Sequence, residues 1–178
     1  MSNQFLLWSL VIVPWLTLIF MNKEDIKRFM PAALFTSLTS MVVVDVGITL
    51  NFWVVQETAY PLRGLPYHLG LSPVLIIWML YATYGRFWWY LVLNVIQNFG
   101  FTYLLIRYLS YRGIEQLTGI SPLQTTIVAS IHGILIYGYQ MWQEDALVPA
   151  IKTLYSTKPQ PAATKPLFKN EDDEDYNK

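Results

Sequence analysis

Asp45 is the residue whose position most needs an explanation, because it is the only acid inside a long apolar stretch, Ser-Met-Val-Val-Val-Asp-Val-Gly-Ile-Thr-Leu. A carboxylate placed in hydrocarbon costs about 2.5–3.5 kcal/mol even on the more lenient insertion scale. Such a side chain needs either hydrogen-bonding partners or a function that offsets this cost. Its candidate partners are the polar side chains of the other apolar stretches.

Two other apolar stretches carry polar groups at a depth similar to that of Asp45. His132 lies in the middle of the last stretch, and Asn94, Gln97 and Asn98 lie in the middle of the one before it. The three amides are spaced i, i+3 and i+4, so they share one helix face. With a rise of 1.5 Å per residue, Asp45 lies about 15 Å from the outer end of its stretch, and the others fall at comparable depths. We therefore expect these five residues to form a polar layer near the middle of the membrane.

Two interpretations of this layer stay open at the level of the sequence. In the first, the polar groups are structural and hydrogen-bond between helices, each adding about 0.6 kcal/mol and at most about 2. In the second, Asp45 and His132 meet and form a site for a proton, a cation or a small polar solute. The other histidine, His68, falls in a predicted outer loop and is expected to be a surface residue.

Known classes of catalytic and metal sites fit the sequence poorly. Intramembrane aspartyl catalysis needs two carboxylates that share a proton, and only Asp45 is available. Ser130 and His132 are two positions apart, so on a helix they point about 200° away from each other. The chain has no cysteine, which excludes thiolate catalysis and Cys-bound zinc. We predict no metal, no cofactor and no enzymatic activity, with an enzyme acting on lipid as the remaining alternative.

The elements that must position these residues are predicted to be membrane-spanning helices. Apolar residues make up 54% of the chain and charged residues 13%, about half the charge of a typical soluble domain. Apolar runs long enough to cross about 30 Å of hydrocarbon predict five spans at about 5–21, 31–55, 69–84, 87–109 and 122–142. Gly85-Arg86 is expected to form a turn, because a single bent helix from Pro73 to Leu109 is too long for one crossing. The predicted fold is an all-α polytopic transmembrane bundle (residues 1–142).

The distribution of charge predicts the orientation and a separate C-terminal tail. Lys23, Lys27 and Arg28 lie in the first predicted loop, which favours the cytoplasmic side for that loop. The N-terminus is then outside and the C-terminus is cytoplasmic. Residues 143–178 are rich in proline and contain Glu-Asp-Asp-Glu-Asp, a composition typical of a flexible acidic tail. A zero net charge and the lack of a basic patch argue against nucleic-acid binding.

Five short motifs of the chain resemble a family of uncharacterised small multi-pass integral membrane proteins from spore-forming Gram-positive bacteria. They are Lys-Glu-Asp-Ile-Lys-Arg-Phe-Met-Pro (23–31), Asp-Val-Gly-Ile-Thr-Leu (45–50), Glu-Thr-Ala-Tyr-Pro-Leu (57–62), Tyr-Gly-Arg-Phe-Trp (84–88) and Tyr-Gly-Tyr-Gln-Met-Trp (137–142). The similarity covers about residues 5–145. The resemblance implies a bacterial plasma membrane protein with a shared helical fold, and it implies no substrate or catalytic residue.

Two functional hypotheses follow from these observations. The first is a membrane protein whose polar layer, formed by Asp45, Asn94, Gln97, Asn98 and His132, handles a proton, a cation or a small polar solute. The second is a scaffold or assembly protein in which the same residues are structural and the tail recruits a partner. Besides the lipid bilayer, the expected partners are another membrane protein or a second copy of the chain.

Overall fold

The computed structural model of the protein describes residues 2–62 and 66–156. The chain divides into two compact units, Met1–Trp142 and Gln143–Lys178. In the part of the chain that is described, five long helices, a 3₁₀ turn at Pro66–His68 and one two-stranded ribbon make up the regular structure. The predicted acidic run, Glu-Asp-Asp-Glu-Asp at 171–175, lies outside the described residues.

The first two helices depart from the predicted boundaries. Helix α1 spans Asn3–Thr17 and continues as a 3₁₀ turn over Leu18–Phe20. Helix α2 spans Lys23–Thr49, whereas the predicted span was 31–55. It begins earlier because Glu24 and Asp25 lie in its first turn, where acidic side chains interact favourably with the positive end of the helix dipole. It ends earlier because Asn51 adopts a positive φ of 56° and turns the chain away from the helix.

The last three helices follow the predicted order. Helix α3 spans Leu71–Thr83, and α4 spans Phe87–Tyr111 with a π-helical segment at Phe101–Ile106. The two helices are separated by Gly85 at φ 73°, so the predicted turn is confirmed and the single bent helix is excluded. Helix α5 spans Pro122–Ser156. The first residues of the predicted flexible tail, 143–156, are therefore helical.

A short antiparallel ribbon joins two segments that were predicted to be loops. Strand β1 (Trp53–Val55) pairs with β2 (Glu115–Leu117) in the register Trp53 opposite Leu117 and Val55 opposite Glu115. Main-chain bonds extend the pairing on both sides, from the amide of Thr118 to the carbonyl of Phe52 (2.9 Å) and from the amide of Gln56 to the carbonyl of Ile114 (2.8 Å). The ribbon fixes the connection after α2 against the connection before α5.

The ribbon also packs directly on α2. The indole of Trp53 is buried and donates a hydrogen bond of 3.3 Å to the carbonyl of Val44. Gly47 makes this approach possible, because a Cβ there would fall 1.9 Å from the Trp53 ring. A core beneath the ribbon consists of Leu7, Val44, Trp53, Ala59, Tyr67, Leu109 and Ile114.

Three helices of the described chain are long and apolar enough to cross a membrane: Asn3–Phe20, Lys23–Thr49 and Phe87–Tyr111. Large apolar side chains on their surfaces are exposed, among them Ile12, Leu38, Val42, Ile96 and Leu104, as expected for helices that face lipid. Helix α3 has 13 residues, which correspond to about 20 Å and fall short of the hydrocarbon thickness. The protein is thus a mostly helical membrane protein with at least three candidate spans.

Candidate functional site

A cavity of about 130 Å³ lies among α2, α3, α4, α5 and the ribbon. Polar side chains from each of these elements and from the segment before α3 line it. They are Thr36, Ser40, Tyr67, His68, Ser72, Asn94, Gln97, Asn98, Glu115, Thr125 and His132. Four of the five residues of the predicted polar layer are among them, and Asp45 is not.

Asn94 and Asn98, on the helix face that the i, i+3, i+4 spacing predicted, contact α5. The Nδ2 of Asn98 donates to Oδ1 of Asn94 at 3.2 Å and lies 3.5 Å from the hydroxyl of Ser130. Asn94 packs against Gly133 so closely that a Cβ at Gly133 would fall 1.9 Å from its Nδ2. Gln97 is half-buried and lines the same cavity. The small residues on α5 therefore give the α4 amides room to sit between the two helices.

His132 binds α2 through Thr39. Its Nε2 lies 2.6 Å from the hydroxyl oxygen of Thr39, and that hydroxyl donates to the carbonyl of Phe35 at 2.7 Å. The Thr39 hydroxyl has one hydrogen to donate, so the direction of its bond with Nε2 follows the tautomer of the His132 ring.

The prediction that Asp45 belongs to this layer is wrong. Its side chain is exposed, and it lies six residues beyond Thr39, which is about 9 Å along α2 and about 120° around it. The depth estimate assumed a helix that continued to Val55. Because α2 ends at Thr49, Asp45 lies only about 6 Å from the helix end.

The carboxylate that does line the cavity is that of Glu115, which has only 2% of its surface exposed. Successive side chains of a strand point to opposite faces, so the register of β2 turns Glu115 inward and Gln116 outward. Its main chain is held on two sides, by pairing with Val55 and by a 2.7 Å hydrogen bond from the hydroxyl of Ser110. The ribbon thus holds one acid in a fixed position at the cavity.

Tyr67 is the hydrogen-bond partner of this carboxylate. Its hydroxyl donates to Oε2 of Glu115 at 2.8 Å, and both groups lie in segments that connect the long helices. Burial raises the pKa of the Glu115 carboxyl to about 7, although the hydrogen bond from Tyr67 acts in the opposite direction. Burial and the neighbouring carboxylate also raise the pKa of the Tyr67 hydroxyl well above its ordinary value. Tyr67 is therefore a hydrogen-bond donor throughout the physiological pH range.

His68 lines the cavity next to Tyr67, which corrects its assignment as a surface residue. Both of its ring nitrogens are buried, and neither has a hydrogen-bond partner in the described part of the chain. Burial lowers the pKa of the His68 imidazole to about 3, and the nearby His132 acts in the same direction. The ring is thus neutral near pH 7 and presents one donor and one acceptor.

The described lining of the cavity offers one acid and several hydrogen-bonding groups. No group of three or more potential metal-ligating side chains forms within the described ranges. One carboxylate, two imidazoles, three amides and several hydroxyls line the cavity, and no lysine or arginine of the described residues does so. Such a lining can hold a proton on Glu115 or accept hydrogen bonds from a bound solute.

Comparison with known proteins finds no matching family model, no similar characterised protein and no solved structure of similar fold.

Sequence reasoning missed Tyr67, His68 and Glu115 because each lies in a segment that was interpreted as a loop. Strands of three residues are too short for period-two alternation to be recognised. One signal was present: Glu115 stands between the apolar residues Ile114 and Leu117, where a solvated loop is ordinarily polar. The pairing of β1 with β2 across about 60 residues has no local signature.

Proposed function

We propose that this membrane protein binds a small polar solute or a proton in the cavity that Glu115 lines. The observation that carries the proposal is the Glu115 carboxylate, which is buried at the cavity and has no cationic partner among the described residues. An unpaired buried charge is costly, so this carboxyl is either protonated or paired with a bound ligand. In the first state the carboxyl can exchange a proton with the solvent, and in the second it can exchange a bound ligand.

The lining supports a polar ligand. His68 offers two ring nitrogens that have no hydrogen-bond partner within residues 2–62 and 66–156, and buried polar groups without partners are rare in folded proteins. The amide face of α4 offers further donors and acceptors on the opposite wall. A ligand that bonds with these groups would recover the hydrogen bonds that the chain itself leaves unmade.

The proposal includes a topology of five spans in a bacterial plasma membrane. Besides the three apolar spans, it uses the first part of α5 as a fourth and α3 as a short fifth in a locally thinned bilayer. The basic residues Lys23, Lys27 and Arg28 at the start of α2 support an outside N-terminus and a cytoplasmic C-terminus. Cysteine substitutions at Ser2 and Gln116, labelled from either side of intact cells, test this orientation.

Reconstituted vesicles test the function. A pH-sensitive dye inside them reports proton flux, and isotope-labelled small solutes report uptake. We expect Glu115→Gln and His132→Ala to reduce any flux that the unaltered protein supports, with Asp45→Asn as the matched control that leaves it unchanged. If all three variants behave like the unaltered protein and only their thermal stability differs, the polar groups are structural.

A second experiment, a truncation of the tail, distinguishes the binding proposal from the scaffold hypothesis. A chain that ends before Pro149 lacks the proline-rich acidic segment but keeps every residue of the cavity. The binding proposal expects unchanged flux and ligand binding for this truncation. Loss of a co-purifying membrane partner, without any flux in the full chain, would favour the scaffold instead.

A further inference from the structure

The charged groups that line the cavity indicate whether it prefers a cationic or an anionic ligand. Among the described residues, Glu115 is the only acid that lines the cavity, and no lysine or arginine of the same residues faces it. Oε2 of Glu115 accepts a hydrogen bond from Tyr67, a neutral donor. A buried carboxylate without a cation is stabilised either by a proton or by an incoming positive charge. The cavity therefore has a net preference for a cation over an anion.

The apolar part of the lining favours an organic cation over a bare metal ion. The rings of Trp53, Tyr67 and Phe101 line the cavity together with Glu115, and aromatic faces attract cations that have shed their water. Tyr67 and Phe101 pack edge-to-face with their centroids 5.0 Å apart. No cluster of three metal-ligating groups forms in the described chain.

The size of the cavity favours a small ligand. Its volume is about 130 Å³, close to the roughly 150 Å³ of an apolar cavity that holds one benzene molecule. A solute of about six non-hydrogen atoms or fewer fits this space on the same comparison.

We propose that the cavity binds a small primary alkylammonium ion, whose ammonium group pairs with Glu115 and whose alkyl chain lies against the aromatic rings. The inference rests on the proposed function and specifies its ligand. The acceptor nitrogen of His68, which has no partner among the described residues, supplies a further hydrogen bond for the ammonium group. This arrangement uses the Glu115 carboxylate, the aromatic rings and the His68 imidazole, none of which belongs to the predicted polar layer.

Binding of such an ion is coupled to release of a proton. The Glu115 carboxyl has a pKa of about 7, so at lower pH the incoming cation must displace its proton to solvent. The other titratable groups that face the cavity are Tyr67, His68 and His132. His68 stays neutral down to about pH 3, and protonation of His132 would oppose the cation as well. Affinity is therefore expected to fall about tenfold per pH unit below pH 7 and to level off above it.

A charge series of one carbon skeleton tests the proposal in the full chain in detergent micelles. Calorimetry at pH 8 compares propylammonium, the neutral propionamide and the anion propionate. We expect binding of propylammonium only, and weaker binding by about tenfold or more in Glu115→Gln. Glu57→Gln is the matched control, because the Glu57 oxygens bond to Asn3 and Gln4 and lie outside the cavity. Tyr67→Phe keeps the carboxylate, so it should retain the preference for propylammonium if Glu115→Gln does not fold.

Each outcome separates this inference from the proposed function. Equal binding of propylammonium and propionamide overturns the ammonium assignment and leaves a polar-solute site. Binding of propionate alone overturns it too. If none of the three binds and vesicle flux is absent, both proposals are wrong. Arg63→Gln, at a position outside the described residues, should leave the affinity unchanged; a marked rise would make Arg63 the cation that pairs with Glu115 and would contradict the proposal.

Discussion

The hydroxyl of Tyr67 donates a 2.8 Å hydrogen bond to Oε2 of Glu115, and this contact joins the segment before α3 to the ribbon before α5. Both side chains are buried, so the bond forms away from bulk water, where a neutral donor only partly offsets the desolvation of a carboxylate. The Glu115 carboxyl is therefore held in a fixed position, but its ionised form is poorly stabilised.

The stability of the protein should depend on pH through Glu115. Its pKa is about 7 in the folded chain against an ordinary value of 4.5, so the folded state keeps a proton that the unfolded state has already lost. The stabilisation is complete below about pH 4.5 and is lost as the pH rises through 7. Its full size is up to about 3 kcal/mol. Thermal unfolding in detergent between pH 4.5 and 8 should show this fall, and Glu115→Gln should remove it. A variant that keeps the same pH dependence would show that another group is responsible.

His68→Leu should stabilise the protein while weakening ligand binding. The substitution removes two buried nitrogens that have no partner in the described part of the chain, and each such group costs about 1–3 kcal/mol. Leucine has a similar volume and suits the apolar neighbours. A raised melting temperature together with lost binding is the pattern expected of a residue retained for function. A lower melting temperature at pH 8 would mean that the imidazole has a structural role.

The gap between α4 and α5 can be tested with two glycines of the same helix. Gly133→Ala places a Cβ 1.9 Å from Nδ2 of Asn94, so the amide must move, at a cost of about 1–3 kcal/mol. Gly138→Ala meets nothing within 4 Å and should be neutral or stabilising by up to about 1 kcal/mol. Melting temperatures and ligand affinity of the two variants provide the comparison. Equal effects of both would show that Asn94 does not occupy this gap.

The partner of His132 on α2 should be Thr39 and not Asp45. Thr39→Val removes the hydroxyl 2.6 Å from Nε2 of His132, which should cost about 1–2 kcal/mol because the ring nitrogen is left unpaired. Asp45→Asn changes an exposed side chain and should alter stability by about 0.5 kcal/mol at most. The NMR signals of the His132 ring should shift in the first variant only. A shift in the second variant would reinstate the contact with Asp45.

Local periodicity predicted the wall of the cavity that α4 forms. The acid that lines the cavity depends on where helices end and on which segments pair. The i, i+3, i+4 spacing of Asn94, Gln97 and Asn98 identified a shared face, and these residues do line the cavity. The identity of the buried acid was wrong for a physical reason. Depth along a helix depends on where the helix ends, and the end of α2 is set by Asn51 and the ribbon.

The burial of Glu115 could not be predicted from the sequence alone. Its burial results from pairing with Val55, 60 residues earlier, and from the hydroxyl of Tyr67. Neither contact has a signature in the residues near Glu115, since β2 has only three residues. The same is true of His68, whose segment was interpreted as a surface loop because of its prolines and glycines.

The state of the Glu115 carboxyl can be observed directly by ¹³C NMR of its side-chain carboxyl carbon, assigned by the missing signal in Glu115→Gln. We predict a titration midpoint near pH 7 in the ligand-free protein, and a midpoint moved to lower pH when propylammonium is added. A midpoint near the ordinary value of 4.5 that does not respond to propylammonium would show that this carboxylate is already compensated, and would contradict the account of the cavity as a cation-binding site.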